Sequence, residues 1–535
     1  MVRSFRRRPQ LRHLLSARVN KTLEFWKQIS NKLTTLAKTL AKTNLNQKRC
    51  GRRALLEWSF ITLMVVSSFT LRVWGLSKVH FWDEAVYLQN AEVICCGKNN
   101  YSELESRPPL LSLMFAAIFL VWHHIYAADI TTALVNALGP ALLYLSGRMI
   151  VGRIPAAIAS LLLAFSPFFV GVFPSGFASD DTGNSLLTDC PALTIILLGF
   201  WLLLRALQRQ SNLRFAWVGL VFALAVLMRF ASLATVGVLS LLIVAVDRWW
   251  RAAIACAGGF LAGIVPYLCW SRLRYGGFFE TFRRGWQYYE GERASPVFYA
   301  RNFGTMFCWI TLAGIVLWVG RFAWQRRTPL SERATASDER PTGLPRGLES
   351  FLWLWATLVL VFFFVLSHQE PRYAMPAAPP LFLLAGSGLA VLVVPRRTAL
   401  RVAGTVLILG MLVWTFLPDA QRFKLPLVNH AVTEEMEVSK FLNDSFPYDT
   451  VLYSNFNYPL FGYYTHLKIY ELPETGPDLY DALDDLPSEG ILIAYKNPEI
   501  VPDPRPEWLR SNPHFQVIRE FQTIVLYQYR AMTEK

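Results

Sequence analysis

Residues 190–206, CPALTIILLGFWLLLRA, contain a single charge, Arg205, and are long enough to cross a membrane. An α-helix rises about 1.5 Å per residue, so about 20 apolar residues cross a hydrocarbon core of roughly 30 Å. Comparable apolar runs recur at residues 55–75, 129–149, 153–172, 252–271, 303–324, 351–367, 376–394 and 402–417. This pattern predicts an α-helical protein that crosses the membrane many times.

Two further apolar stretches do not fit a single straight span. Residues 215–246 are too long for one helix and carry Arg229 near their middle, which favours two short helices that enter the bilayer and return. Residues 109–127 begin at a Pro-Pro pair and end beside a His-His pair, so they either cross the membrane or lie in its interface. Altogether the sequence predicts about 10–13 membrane helices.

The composition supports this class of protein. Hydrophobic residues make up 53% of the 535-residue chain and charged residues only 17%, whereas soluble globular proteins carry about 25% charged residues. The net charge of +15 is concentrated in residues 1–53, where fifteen Lys and Arg face one acid, Glu24. About +1 remains for the rest of the chain, which excludes a basic surface for a nucleic acid.

The distribution of Lys and Arg predicts the orientation, because cytoplasmic loops retain positive charge. With the basic arm 1–53 in the cytoplasm, the other basic loops also lie there only if residues 109–127 do not fully cross. Four segments then lie outside, namely 76–108, 173–189, 272–302 and 368–375. We therefore expect a transmembrane domain over 54–418, with its N-terminus cytoplasmic, and an extracytoplasmic domain over 419–535.

The C-terminal domain has amphipathic patterns instead of apolar runs. Residues 433–445 predict a helix, and VLYS, KIYEL, GILIAY, FQVIREF and TIVLYQY predict short strands, so we expect a small α/β domain. The seven cysteines indicate no disulfide framework, and adjacent Cys95 and Cys96 lack the spacing of a zinc motif.

The basic arm is compatible with three interpretations. Its apolar residues fall at near-helical spacing, which is typical of a helix lying on anionic lipid. A disordered arm that only sets the topology fits equally well. A cleaved transit peptide is a third interpretation.

Charged residues cluster in the predicted outer segments. The first segment contains Asp83, Glu84 and Tyr87 and ends at Arg107, just before an apolar helix. A solvated loop whose acids begin a helix would show the same pattern. Near the end of the second segment, Asp189 precedes a span and is also explained as a helix cap; the pair Asp180 and Asp181 is a rival candidate.

The third group lies near the last spans, where His368, Arg372 and Tyr373 are also explained as an interfacial anchor. Arg229 differs, because a charge deep in apolar sequence is costly without a partner and therefore indicates function. Cations that bind a departing phosphate and carboxylates that accept a proton are the groups needed to transfer a moiety from an anionic lipid. The chain contains no nucleotide-binding glycine motif.

Five segments in this order carry a resemblance to a known family: FWDEAVYLQNAE, SRPPL, LTDCP, LMRF and HQEPRYAMPAAPPL. They resemble membrane glycosyltransferases of the GT-C class, in particular the protein O-mannosyltransferase and lipid A aminoarabinose transferase group. The resemblance covers residues 55–417 and implies transfer of a hexose or pentose from a polyprenyl-phosphate donor. It further implies transfer with inversion, to an acceptor hydroxyl on the outer face of the membrane.

The resemblance implies roles for individual residues. Asp83 is expected to act as general base or to orient the acceptor, with Glu84 beside it and Asp189 as a supporting carboxylate. The expected contacts to the donor phosphate are made by Arg107, Arg229 and Arg372; Arg stands at 107 and 229 where relatives often have Lys. The expected substrate contacts are Tyr87, His368 and Tyr373.

Two other classes of function compete with this interpretation. A transporter or flippase for a lipid-linked anion would use the same arginines, although internal repeats are not apparent. A membrane-anchored scaffold is a third possibility. We expect no required cofactor, although the carboxylates would suit Mg²⁺ or Mn²⁺. The expected partners are the bilayer, the lipid-linked donor, and a glycan, lipid or protein acceptor, with no nucleic acid. The expected location is the bacterial inner membrane.

Overall fold

A computed structural model of the chain describes residues 54–74, 76–77, 82–166, 169, 187–287, 295, 297–327, 347–366, 369–393, 398–417, 428–429, 433–497, 501 and 503–530. The basic arm, Asp180, Asp181 and His368 lie outside the described residues. The chain divides into two compact units, Met1–Leu63 and Met64–Lys535. Apart from the first half of helix α1, everything described below belongs to the second unit.

Helices dominate the described part of the chain up to residue 417. In chain order they are α1 (Ala54–Val73), α2 (Trp82–Cys96), α3 (Pro109–Phe119), α4 (Ile125–Ile150), α5 (Arg153–Phe165), α6 (Asp189–Arg209), α7 (Asn212–Met228), α8 (Ser232–Ser240), α9 (Trp249–Tyr275), α10 (Glu280–Gln287), α11 (Phe298–Arg301), α12 (Phe303–Phe307), α13 (Trp309–Arg327), α14 (Leu348–Val365), α15 (Ala378–Val393) and α16 (Thr398–Phe416). Short 3₁₀ helices cover Leu241–Ala245 and Pro371–Ala377.

Six apolar helical segments among the described residues reach membrane-spanning length: Ala54–Val73, Ile125–Ile150, Asp189–Arg209, Trp249–Tyr275, Leu348–Val365 and Pro371–Val393. Six shorter apolar helices accompany them: Pro109–Phe119, Arg153–Phe165, Asn212–Met228, Ser232–Ala245, Trp309–Trp324 and Thr398–Trp414. The prediction of a polytopic α-helical membrane protein is therefore confirmed.

The two ambiguous stretches contain short helices. Residues 215–246 form two helices, α7 and α8, and the chain is extended at Arg229 between them (φ −155°, ψ 116°). Helix α3 has 11 residues, which gives it a length of about 16 Å, too short to cross the hydrocarbon core.

Two predicted spans are shorter than their apolar runs. Helix α5 ends at Phe165, and Ser166 is extended (ψ 129°) because it precedes Pro167, where helical conformation is disfavoured. The run 303–324 is broken at Cys308, which has a positive φ of 64°. Apolar composition sets the length of a run but does not locate such breaks.

The C-terminal region forms an α/β domain around a five-stranded sheet. Its strands are β3 (Val451–Ser454), β4 (Lys468–Glu471), β5 (Gly490–Tyr495), β6 (Phe515–Glu520) and β7 (Ile524–Tyr529), and its helices are α17 (Glu434–Ser445), α18 (Tyr458–Tyr464), α19 (Pro477–Asp484) and α20 (Pro506–Ser511). The strand order is β4-β3-β5-β7-β6, with the first three strands parallel and β7 antiparallel to both β5 and β6. The predicted small α/β domain is confirmed.

Two features were not predicted. Strand β1 (Leu76–Ser77), after α1, pairs in parallel with β2 (Val428–Asn429), after α16, so distant segments of the chain meet. Cys95 and Cys96 form a disulfide at the end of α2, whereas the sequence indicated no disulfide framework. Among the described residues, Cys190, Cys256 and Cys269 are not part of a disulfide.

Candidate active site

The predicted charged residues lie at ends and breaks of helices. Asp83 is in the first turn of α2, where the helix dipole favours a carboxylate. Asp189 is the first residue of α6, and Arg229 ends α7. Arg372 lies in the 3₁₀ helix that precedes α15. Since each residue is at an end of its element, its side chain is available to the space between the elements.

These ends meet around one open cavity. It encloses about 510 Å³, counting space open to solvent, and its lining residues are Asp83, Tyr87, Ser106, Arg107, Pro108, Leu187, Thr188, Asp189, Arg229, Phe230, Gly285, Arg372 and Tyr373. Seven of the nine predicted site residues are among them. Glu84 is buried on α2 and does not line the cavity, and His368 is outside the described residues.

Asp83 bridges two arginines from distant segments of the chain. Its Oδ1 lies 2.9 Å from Nη2 of Arg107, and its Oδ2 lies 3.2 Å from Nη2 of Arg372. The Asp83 side chain is 18% exposed, so it is held in place but remains accessible. The two arginines are 265 positions apart in the sequence, and this carboxylate brings them together on one wall of the cavity.

The second charged pair lies deeper. Nη1 of Arg229 is 2.5 Å from Oδ1 of Asp189, and the side chains are only 11% and 5% exposed. The guanidinium of Arg229 also lies over the ring of Tyr373, 5.0 Å from its centroid, which is within the range of a cation–π contact. Asp189 and Tyr373 thus hold Arg229 at the break between α7 and α8.

The surroundings determine the protonation of the groups on α2. Burial raises the pKa of the Asp83 carboxyl, but the Arg107 and Arg372 guanidiniums lower it more strongly, so the net direction is downward. Asp83 is therefore ionised at neutral pH. Burial raises the pKa of Tyr87 to about 12. Tyr87 consequently keeps its proton.

Two acidic residues at the site were not singled out from the sequence. Glu103 accepts a hydrogen bond from Nε of Arg107 at 2.8 Å, and Glu370 accepts one from Nη2 of Arg372 at 3.1 Å. Both were detectable, because Glu103 is four residues from Arg107 and Glu370 is two residues from Arg372. With these partners, the three arginines face four carboxylates.

The cavity wall also contains uncharged residues that the sequence did not indicate. Gly285 on α10 lies so close to the segment before α3 that a Cβ there would be 2.6 Å from the carbonyl oxygen of Ser106. The same Cβ would be 3.0 Å from the Phe230 ring. No local pattern marks such a position, since the close approach depends on how α10 packs.

Comparison with known proteins places this fold in a class. Residues 106–270, just under a third of the chain, match the sequence profile of the family described as dolichyl-phosphate-mannose-protein mannosyltransferase. No curated protein sequence is significantly similar to the chain. The family match supports a glycosyltransferase activity.

Solved structures share the fold at low sequence identity. ArnT from Cupriavidus metallidurans bound to undecaprenyl phosphate is 14% identical, with a TM-score of 0.59 over 88% of this chain and 98% of that chain. The archaeal oligosaccharyltransferase AglB from Archaeoglobus fulgidus, in complex with an inhibitory peptide and a dolichol-phosphate, is 13% identical, with a TM-score of 0.52 over 84% and 70%. Together with the family match, they confirm the resemblance to membrane glycosyltransferases of the GT-C class.

Proposed function

We propose that this protein transfers a sugar from a polyprenyl-phosphate donor to an acceptor hydroxyl, with inversion at the anomeric carbon. The observation that carries the proposal is the junction of Asp83 with Arg107 and Arg372 in a cavity that also contains the Asp189–Arg229 pair. The undecaprenyl phosphate bound to ArnT and the dolichol-phosphate bound to AglB support a donor of this kind.

The arginines supply the binding site for the donor phosphate. Guanidinium groups bind phosphate through paired, charge-assisted hydrogen bonds. Arg107 and Arg372 line the cavity, and each already contacts carboxylates. A donor phosphate must therefore compete with Asp83, Glu103 and Glu370 for these guanidiniums. This competition favours a mechanism in which donor binding changes the basicity of the Asp83 carboxylate.

Asp83 is the proposed general base. Its lowered pKa makes it a weak base in the protein alone. When a phosphate shares Arg107 and Arg372, their hold on Asp83 weakens, and the pKa of its carboxyl rises toward the ordinary value of about 3.9. Asp83 would thus become a stronger base only when the donor, and with it a sugar to transfer, is bound.

The reaction is a single displacement. The acceptor oxygen forms a bond to the anomeric carbon while the bond from that carbon to the phosphate oxygen breaks. The hydroxyl proton goes to Asp83, and the bonding electrons leave with the polyprenyl phosphate, whose charge the arginines stabilise. Asp189 positions Arg229 for this role, and the substrate contacts are assigned to Tyr87 and Tyr373.

The experiment uses full-length protein in proteoliposomes with a panel of polyprenyl-phosphate hexoses and pentoses, membrane extract as acceptor, and release of polyprenyl phosphate as readout. Asp83→Asn should lower release by about 10²- to 10⁴-fold, the usual contribution of a positioned base. Asp444→Asn, at an exposed position on α17, is the matched control. Normal release by folded Asp83→Asn protein would refute the assignment.

The phosphate role has a separate test. Arg107→Ala should raise the donor concentration needed for half-maximal rate by about 10-fold or more, because a hydrogen bond to a charged group contributes about 1.5–3 kcal/mol. The acceptor dependence should change much less. Arg530→Ala, at an exposed position, is the control. An unchanged donor dependence in Arg107→Ala would contradict the role.

We also propose that no divalent cation is needed, because three guanidiniums are available to stabilise the phosphate. Undiminished release in excess EDTA supports this, and loss of release that Mg²⁺ or Mn²⁺ restores would overturn it. The proposed location is a bacterial inner membrane, with the C-terminal domain on the extracytoplasmic side. A C-terminal reporter that is active only outside the cytoplasm tests the orientation.

A further inference from the structure

A second cluster of reactive side chains lies at the opposite end of α2 from Asp83. Glu92 and Cys96 are one helical turn apart, so both project from the same face of the helix. His123, in the segment between α3 and α4, faces them, with Nε2 2.7 Å from Oε1 of Glu92. One carboxylate oxygen, the Cys96 sulfur and one imidazole nitrogen all lie within 4.8 Å of one another. None of these residues lines the candidate active site.

We propose that Glu92, Cys96 and His123 form a binding site for a transition-metal ion, with Zn²⁺ the favoured ion, when Cys96 is a thiol. Zinc binds thiolate at about 2.3 Å and imidazole or carboxylate at about 2.0–2.2 Å. The His123 and Glu92 donor atoms are 2.7 Å apart and the Cys96 sulfur lies within 4.8 Å of both, so small side-chain shifts would bring all three to one ion. A set of sulfur, nitrogen and oxygen ligands favours zinc over magnesium or calcium, which prefer oxygen alone.

The cluster is placed to receive an ion. The imidazole of His123 is 56% exposed and Cys96 is exposed, which gives the ion an entry path, whereas Glu92 is nearly buried and fixed on the helix. Three protein ligands leave a fourth position to water. The hydrogen bond between His123 and Glu92 would open by a few tenths of an ångström so that both atoms could bind the ion instead of each other.

The disulfide between Cys95 and Cys96 makes the site conditional. A sulfur in a disulfide has no thiolate charge to offer, so metal binding and this disulfide exclude each other. Reduction by a phosphine transfers two electrons to the disulfide; water supplies the two protons of the thiols and the oxygen of the resulting phosphine oxide. The Cys96 thiol then loses a proton to bind the ion. The ion would join the end of α2 to the α3–α4 segment, independently of the transfer reaction.

The two cysteines provide a matched pair of variants. Cys95→Ser cannot form the disulfide and keeps the Cys96 ligand, whereas Cys96→Ser cannot form it either but lacks the ligand. Co²⁺ is the probe, because a cobalt–thiolate bond gives a charge-transfer band that binding to His or carboxylate alone does not give. We expect this band, at about one ion per chain, in Cys95→Ser and in phosphine-reduced wild-type protein. The oxidised wild type and Cys96→Ser should lack it.

The other ligands are tested in the Cys95→Ser background. Adding His123→Ala or Glu92→Gln should weaken Co²⁺ binding by at least about tenfold, whereas adding His124→Ala, the neighbouring control, should not. Zn²⁺ should displace the bound Co²⁺ and abolish the band. The proposal is overturned if neither Cys95→Ser nor reduced wild type gives the band. It is also overturned if the band persists in Cys96→Ser, or if His123→Ala leaves the affinity unchanged.

Discussion

Adjacent glycines on α9 are predicted to differ sharply in their tolerance of alanine. A Cβ at Gly259 would lie 1.9 Å from the carbonyl oxygen of Ala216 on α7, whereas a Cβ at Gly258 would meet nothing within 4 Å. Membrane helices pack closely through small residues at such points. Gly259→Ala should therefore destabilise the protein, and Gly258→Ala should not.

The structure determines the size of the effect. Real Cβ atoms essentially never lie within 3.0 Å of a neighbouring atom, so the Gly259→Ala contact requires the helices to separate by at least about 1 Å. Overpacking of this kind costs about 1–3 kcal/mol of unfolding free energy. Gly258→Ala should instead be neutral or gain up to about 1 kcal/mol, because alanine loses less backbone entropy in a helix.

The assay is thermal unfolding of the full-length variants in the same detergent, followed by transfer in proteoliposomes. Helix α7 ends next to Arg229, whose Nη1 is 2.5 Å from Asp189. A shift of about 1 Å at the helix contact should therefore also reduce transfer by Gly259→Ala. If Gly259→Ala unfolds at the same temperature as Gly258→Ala, the described contact between α7 and α9 is refuted.

A double variant tests the same contact. A Cβ at Gly219 on α7 would lie 1.8 Å from the carbonyl oxygen of Cys256 on α9. Because either alanine already separates the two helices, the costs of Gly219→Ala and Gly259→Ala should not add fully. Full additivity would mean that the two glycines act at independent contacts.

Three further predictions concern the cavity. Asp189→Asn should lower the unfolding free energy by about 3–5 kcal/mol, because it removes the carboxylate of a buried ion pair. Asp83→Asn should cost under about 1.5 kcal/mol, because both of its arginines keep a second acid. Thermal unfolding of both variants compares them, and equal losses of unfolding free energy would contradict the pairing. The lowered pKa of Asp83 means that its contribution to stability is complete above the unfolded value of about 3.9 and is lost as pH falls through the lowered folded value. Stability curves of wild type and Asp83→Asn should therefore run parallel from pH 5 to 8, and a divergence there would show that the carboxyl titrates in that range. Gly285→Ala should lower both transfer and the unfolding temperature, since its Cβ would lie 2.6 Å from the backbone carbonyl oxygen of Ser106 at the cavity wall; undiminished transfer would place the substrate elsewhere.

Much of the candidate site was predictable because charge at a membrane surface is conspicuous. Asp83, Arg107, Asp189, Arg229 and Arg372 stand out against apolar sequence, and the structure brings all five to one cavity. Their roles remain predictions, since proximity does not establish chemistry. Glu84 was selected only for its position beside Asp83, but successive residues of a helix point in directions about 100° apart, and it does not line the cavity.

The partners of these residues were less predictable. Glu103 and Glu370 pair with arginines of their own segments, so local spacing contains the signal. The contact between Cys96, Glu92 and His123 contains no such signal, because His123 follows a different helix. A search for metal motifs based on spacing fails when the ligands come from separate elements.

The sequence alone determined the class of the protein and the strands of its C-terminal domain. Both follow from hydrophobic periodicity, which is a local property of the chain. Only the tertiary structure decided which helix ends meet, how closely α7 and α9 approach, and that Asp83 bridges arginines from two distant segments. These features depend on the fit of side chains between elements far apart in sequence, and no local pattern records that fit.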